Sequence, residues 1–67
     1  MTTVTIKTYK DSGKLNTVES FETELLPYQE TDIYLKVLDK YPVVSITTCI
    51  ITAVSPGGEY SERLHIK

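Results

Sequence analysis

The chain has 67 residues, a formal net charge of −2, one cysteine and one histidine. One domain, residues 1–67, is the most that this length supports. A lone cysteine excludes an internal disulfide, and one cysteine with one histidine leaves a structural zinc site incomplete.

The sequence does not predict a targeting signal of a membrane or secreted protein. No apolar run approaches the roughly 18 residues of a membrane span, and the N-terminal segment alternates polar and apolar residues where a signal peptide is continuously apolar. The single thiol suits a reducing compartment. We therefore expect a soluble cytoplasmic protein with no membrane partner.

The first 25 residues of the chain predict a β-hairpin. Thr2 to Lys10 alternates apolar and polar residues, which is typical of a strand. Asp11 to Lys14 has turn composition, with Gly13 free to adopt a positive φ. A second strand follows over about Leu15 to Leu25. Its apolar residues change parity along the strand, and we expect a β-bulge near Val18 to Ser20.

An amphipathic helix is predicted over about Tyr28 to Lys40. Pro27 suits the first position of a helix, where its missing N–H has no partner to lose, and Pro42 ends the helix. Five apolar or aromatic side chains share an arc of about 140° on a helical wheel. They are Ile33, Tyr34, Val37, Leu38 and Tyr41.

The second half of the chain predicts a further hairpin. Residues 43–54 are rich in Val, Ile and Thr, which favour strands, and residues 59–67 alternate regularly. Residues 55–58, Ser-Pro-Gly-Gly, form the turn between them. The element order ββαββ predicts an α+β fold, in which one helix packs on one face of a four-stranded antiparallel sheet in two layers.

The turn chemistry selects the register of the second hairpin. A three-residue loop with Gly58 in the left-handed region pairs Val54 with Tyr60 and Ile50 with Leu64. This register gathers seven apolar side chains on one face, which we expect to pack against the helix. They are Val44, Ile46, Ile50, Val54, Tyr60, Leu64 and Ile66. The opposite face, with Thr47, Cys49 and Ile51, would then be open, and we expect a second copy or a partner to cover that face or an open strand edge.

No catalytic, cofactor-binding or metal-binding residues are predicted. The same register sets Cys49 opposite His65, close enough for a nucleophile–base pair. No third residue orients the histidine and a flat sheet face encloses no substrate, so we expect Cys49 to be a packing residue. The paired carboxylates have no enclosing pocket that would raise a pKa for acid catalysis.

The strongest compositional asymmetry is an acidic stretch in the middle of the chain. Residues 15–35 contain five carboxylates and no base. Such a stretch can imitate a phosphate backbone and bind a basic, nucleic-acid-handling protein. We expect a small acidic, non-enzymatic binding protein that can form a homodimer, in the style of phage or mobile-element accessory and inhibitor proteins. The predicted partner-binding residues are Glu19, Glu22, Glu24, Glu30 and Asp32.

Nucleic-acid binding by the open face of the sheet is the alternative prediction. Proteins that bind single strands combine basic grooves with aromatic side chains on which bases stack. The residues predicted for this function are Lys7, Tyr9, Arg63, His65 and Lys67.

Overall fold

A computed structural model describes all 67 residues. Its elements are β1 (Thr2–Tyr9), β2 (Leu15–Thr23), α1 (Glu30–Lys40), a 3₁₀ helix (Pro42–Ile46), β3 (Thr48–Val54) and β4 (Tyr60–His65). The four strands form one antiparallel sheet in the order β2-β1-β3-β4. This architecture confirms the predicted α+β fold with the element order ββαββ.

Both hairpins turn through the same three-residue geometry. Gly13 and Gly58 have φ values of 88° and 86°, a region that side chains with a Cβ rarely adopt. The Gly13 N–H donates to the Lys10 carbonyl oxygen at 2.8 Å, and the Gly58 N–H donates to the Ser55 carbonyl oxygen at 3.0 Å. The predicted register of the second hairpin is confirmed, because Val54 pairs with Tyr60 and Ile50 pairs with Leu64.

The bulge in β2 lies nearer the turn than predicted. Thr8 pairs with Thr17 whereas Tyr9 pairs with Leu15, so Asn16 is the extra residue. The Thr8 hydroxyl accepts a hydrogen bond from the Thr17 backbone N–H at 3.1 Å, which holds the strands together beside the irregularity. The prediction of a bulge at residues 18–20 was wrong, because the parity of the apolar residues already changes between Leu15 and Val18.

The helix begins later than predicted. Pro27 is buried and lies in a turn that precedes α1, where the Gln29 side chain accepts a hydrogen bond from the Leu26 N–H at 2.8 Å. The first residue of α1 is Glu30, so the placement of Pro27 at the first helical position was wrong. The predicted inner surface of the helix is confirmed, since Ile33 and Val37 are buried.

The predicted twelve-residue strand over residues 43–54 is also wrong in its first third. The segment from Pro42 to Ile46 is a 3₁₀ helix that begins with a proline, a favourable residue at that position. The Ser45 hydroxyl donates to the Pro42 carbonyl oxygen at 3.0 Å, and the Thr47 hydroxyl donates to the Val43 carbonyl oxygen at 2.9 Å. These local side-chain bonds compete with strand formation, and β3 begins only at Thr48.

The helix packs on the face of the sheet opposite to the one predicted. β1 determines this face: Ile6 pairs with Ile51, whereas Lys7 pairs with Ile50. Packing α1 on the Ile50 side would bury a lysine and leave Ile6 in water, which is unfavourable on both counts. The core consists of Val4, Ile6, Ile33, Val37, Val44, Cys49, Ile51 and Ala53.

Candidate interaction surface

The side of the sheet that α1 leaves uncovered carries large apolar side chains. On β3 and β4 four of them adjoin one another: Ile50 is half-buried, while Val54, Tyr60 and Leu64 are exposed. Because Ile50 pairs with Leu64 and Val54 pairs with Tyr60, these four residues form two rows across the strands. We call Ile50, Val54, Tyr60 and Leu64 the apolar band.

Three charged residues share this open face with the apolar band. Lys7 pairs with Ile50, Glu62 pairs with Thr52, and Glu22 pairs with Thr3. Within the band, the Tyr60 hydroxyl donates to Glu62 Oε2 at 2.8 Å. This hydrogen bond, with smaller contributions from desolvation and from the negative charge of Glu62, raises the pKa of Tyr60 above its ordinary value.

The five predicted acidic residues do not share one surface. Glu22 and Glu24 border one shallow depression together with Lys36. Glu19 pairs with Ile6 and so belongs to the helix side of the sheet. The remaining two, Glu30 and Asp32, lie in the first turn of α1. All five are exposed, and none of them takes part in the one ion pair of the structure, which joins Lys67 to Asp11.

The alternative basic surface is divided between the two faces of the sheet. Lys7 and Tyr9 lie on the open face, whereas Arg63 and His65 of β4 lie on the helix side. There the Arg63 guanidinium carbon lies 4.5 Å from the centre of the Tyr34 ring, within the range of a cation–π contact. His65 Nε2 donates to the Ser45 carbonyl oxygen at 3.1 Å. The prediction that Arg63 and His65 lie on the open face was wrong, because the helix covers the side of the sheet that was predicted to be open.

The predicted pairing of Cys49 with His65 is confirmed, but the thiol is inaccessible. Cys49 is fully buried, and burial raises the pKa of its thiol above the ordinary value. A reactive cysteine requires the reverse, a lowered pKa and an accessible sulfur. Cys49 therefore packs the core.

The molecule has no enclosed pocket large enough for a small molecule, and the depression beside Glu22 and Glu24, about 460 Å³ in volume, is open to solvent. A crevice between α1 and β4, bordered by Glu30 and Arg63, has a volume of about 10 Å³, which is room for one water molecule. No group of three or more His, Cys, Asp and Glu side chains converges as metal ligands would. No helix is long and apolar enough to cross a membrane.

Comparison with protein-family models, with curated proteins and with solved structures finds no match for this chain. Its function is therefore argued from its own surfaces. The apolar band is the feature that the sequence interpretation missed, because that interpretation placed the same residues in the core. The signal that identifies them is the alternation of β1: Val4 and Ile6 require one face to be buried, and Lys7 requires the other to be open.

Proposed function

We propose that this chain is a non-enzymatic protein-binding module whose binding surface is the open face of the sheet. The observation that carries the proposal is the apolar band, in which Leu64 is 59% exposed and Tyr60 is 58% exposed. Contiguous apolar patches of several hundred Å² on a small protein commonly mark interaction sites. Tyrosine in such a patch is a frequent source of binding energy.

The chemistry of the open face favours a protein partner over a nucleic acid. Lys7 contributes +1 and Glu22 and Glu62 contribute −2, so the three charged residues sum to −1. Phosphate backbones are bound mainly by Lys and Arg, and an acidic balance opposes such binding. The face is also flat, whereas small-molecule sites are concave. A cytoplasmic location is part of this proposal, because an unpaired thiol suits a reducing compartment.

The acidic residues support a second candidate, an accessory or inhibitor protein that binds a basic, nucleic-acid-handling partner. The specific observation is that five carboxylates are exposed and unpaired. Glu22 and Glu24 are the most compact pair among them, since both border the same depression. Exposed charges of this kind act mainly on the rate and the salt dependence of association.

Site-directed photo-cross-linking tests the proposed function. A photoreactive amino acid is placed at position 64 of the intact chain, or at position 35 as the matched control. Leu64 and Leu35 have nearly equal exposures of 59% and 58%, but Leu35 lies on α1, away from the open face. We expect a protein adduct of defined mass at position 64 and none at position 35. Equal adduct formation at both positions, or none at position 64, would contradict the proposal.

A further inference from the structure

We propose that the protein bound by the open face is a second copy of this chain, and that the two copies pack sheet to sheet around a two-fold axis that runs along β3. This inference rests on the proposed function, for which it names the partner. Three features of the structure carry it: the order of the strands, the distribution of charge on the open face, and the poor suitability of the strand edges for self-association.

The strand order makes the open face complementary to itself. β1 and β4 flank β3 on its two sides, so a two-fold rotation about an axis along β3 lays β1 of each copy over β4 of the other. Each copy then contributes the same residues to the interface, as a two-fold dimer requires. Ile50 on β3 lies near the axis and meets its own counterpart.

The charges on these strands are opposite in sign. Lys7 on β1 lies over β4 of the second copy, where Leu64 and Glu62 share the open face. The apolar part of the lysine side chain covers Leu64, and its ammonium group reaches toward Glu62. The two-fold axis creates this contact twice. A central apolar strand pair flanked by two such ion pairs has the composition expected of an interface.

Pairing of two copies through their exposed edge strands is less favourable. When an edge strand pairs with its own copy in one continuous antiparallel sheet, one residue must lie opposite itself. For β4 the central registers place Glu62 opposite Glu62 or Arg63 opposite Arg63, and directly opposed like charges are destabilising. β2, the other edge, carries the bulge at Asn16 and the exposed Glu19, which are known protections of strand edges.

The small area of the open face limits the strength of the dimer. Three strands spaced about 4.8 Å apart and seven residues long project to roughly 350 Å² per copy. Protruding side chains make the accessible area larger than this projection. The total buried area still stays near or below about 1,200 Å², the lower end for specific complexes. We therefore expect a reversible dimer with a dissociation constant in the micromolar range.

Sedimentation equilibrium of the intact chain tests the inference between about 5 µM and about 500 µM, a range that brackets such a constant. We expect a reversible monomer–dimer equilibrium. Leu64→Lys should raise the dissociation constant at least about tenfold, because it removes an apolar contact beside Ile50 and sets a positive charge against Lys7 of the second copy. Leu35→Lys, the equally exposed control, should leave the dissociation constant unchanged.

Charge exchange tests the predicted orientation of the two copies. Lys7→Glu and Glu62→Lys should each weaken the dimer several-fold, because each sets like charges against one another. The double variant carrying both substitutions restores the opposite-charge contacts and should recover most of the affinity. Recovery is specific to the axis along β3, since other arrangements do not bring Lys7 of one copy to Glu62 of the other.

The outcomes separate failure of this inference from failure of the proposed function. A strict monomer up to about 500 µM that still forms an adduct with another protein through position 64 would show that the partner is not a second copy. The proposed function would then stand and this inference would fail. A strict monomer that forms no adduct at position 64 would overturn both. A dimer that Leu64→Lys does not weaken would place the interface elsewhere and would also overturn the inference.

Discussion

Two adjacent isoleucines on β3 have opposite environments. Ile51 is 4% exposed and belongs to the core, whereas Ile50 lies on the open face and is half-buried. Truncating Ile51 to Ala leaves a cavity under α1, and we expect a loss of about 2–5 kcal/mol in the free energy of unfolding. Ile50→Ala should cost less than about 1 kcal/mol in the monomer.

Urea denaturation at submicromolar concentration, well below the expected dissociation constant of the dimer, measures both variants of this pair. The two substitutions remove the same atoms from the same strand, so their difference reports burial alone. Equal losses, or a larger loss for Ile50→Ala, would mean that α1 packs on the other face of the sheet.

Cys49 provides a prediction of pH dependence. Burial raises the pKa of its thiol in the folded state, so the folded protein keeps this proton at a pH where the unfolded chain has lost it. The contribution to stability is fully present below the ordinary thiol pKa of about 8.5 and is lost as the pH rises through the raised value. The free energy of unfolding should therefore fall with rising pH in this alkaline range.

The control for the thiol is Cys49→Ala, measured by urea denaturation between about pH 7 and about pH 10. The variant is destabilised at every pH because it loses buried atoms, but its stability should fall less steeply above about pH 8.5. All other ionisable groups are common to both proteins, so their contributions cancel in the comparison. Parallel pH profiles would show that the thiol ionises equally in the folded and unfolded states.

At the scale of elements, the turns are the features that the sequence predicts best. A three-residue loop with glycine in the left-handed region determines the register of the second hairpin, and the structure has that register. Turn geometry depends on a few adjacent residues and can therefore be predicted from the sequence. The 3₁₀ helix over Pro42–Ile46 could not be predicted in the same way, because its composition also suits a strand. The hydrogen bonds from its hydroxyl groups to backbone carbonyls form only in the folded segment.

Adjacent glycines in the second turn give a matched test. Gly58 has a φ of 86°, so Gly58→Ala forces a Cβ into the left-handed region and should cost about 1–2 kcal/mol. Gly57 does not have a positive φ, and a Cβ there would lie 3.9 Å from Ser55 Oγ, an ordinary contact. Gly57→Ala should therefore change the free energy of unfolding by less than about 0.5 kcal/mol, or stabilise slightly by restricting the unfolded chain.

Thermal or urea unfolding of both glycine variants measures this difference. A loss in Gly57→Ala as large as that in Gly58→Ala would indicate that the turn is strained at both positions. It would also remove the support that the turn gives to the register of β3 and β4.

At the scale of the whole molecule, the element order could be predicted and the buried face could not. Counting apolar residues within one hairpin selects the face of Ile50 and Leu64, because its side chains are larger and more numerous. The decision depends on β1, which is 47 residues away at the Thr5–Thr52 pair and places Lys7 beside Ile50. No local sequence pattern specifies a long-range strand register of this kind. As a consequence, the residues that the sequence predicts to be in the core form the candidate binding surface. The residues that it predicts to be on the open face lie on the side of the sheet that the helix covers.

The final prediction separates the two candidate binding surfaces. Glu22 shares the open face but lies in β2, outside the three strands that form the proposed dimer, and Glu24 follows the end of β2. Glu22→Gln with Glu24→Gln should therefore leave the dissociation constant of the dimer within a factor of about two, because exposed charges outside an interface act only through a screened field. The free energy of unfolding should change by less than about 0.5 kcal/mol, since both side chains are exposed and unpaired.

The same double variant should bind a basic probe more weakly. An oligolysine peptide at low ionic strength serves as the probe, and its affinity should fall several-fold with a flatter dependence on salt. The control is Asp39→Asn with Glu59→Gln, which changes the net charge by the same +2 at exposed, separate positions. A smaller effect of the control means that Glu22 and Glu24 act as a local site, because net charge alone would affect both variants equally. Equal effects of the two variants on binding of the probe would mean that the acidic residues contribute only general solubility. A tenfold weaker dimer in the Glu22 and Glu24 variant would place β2 inside the interface.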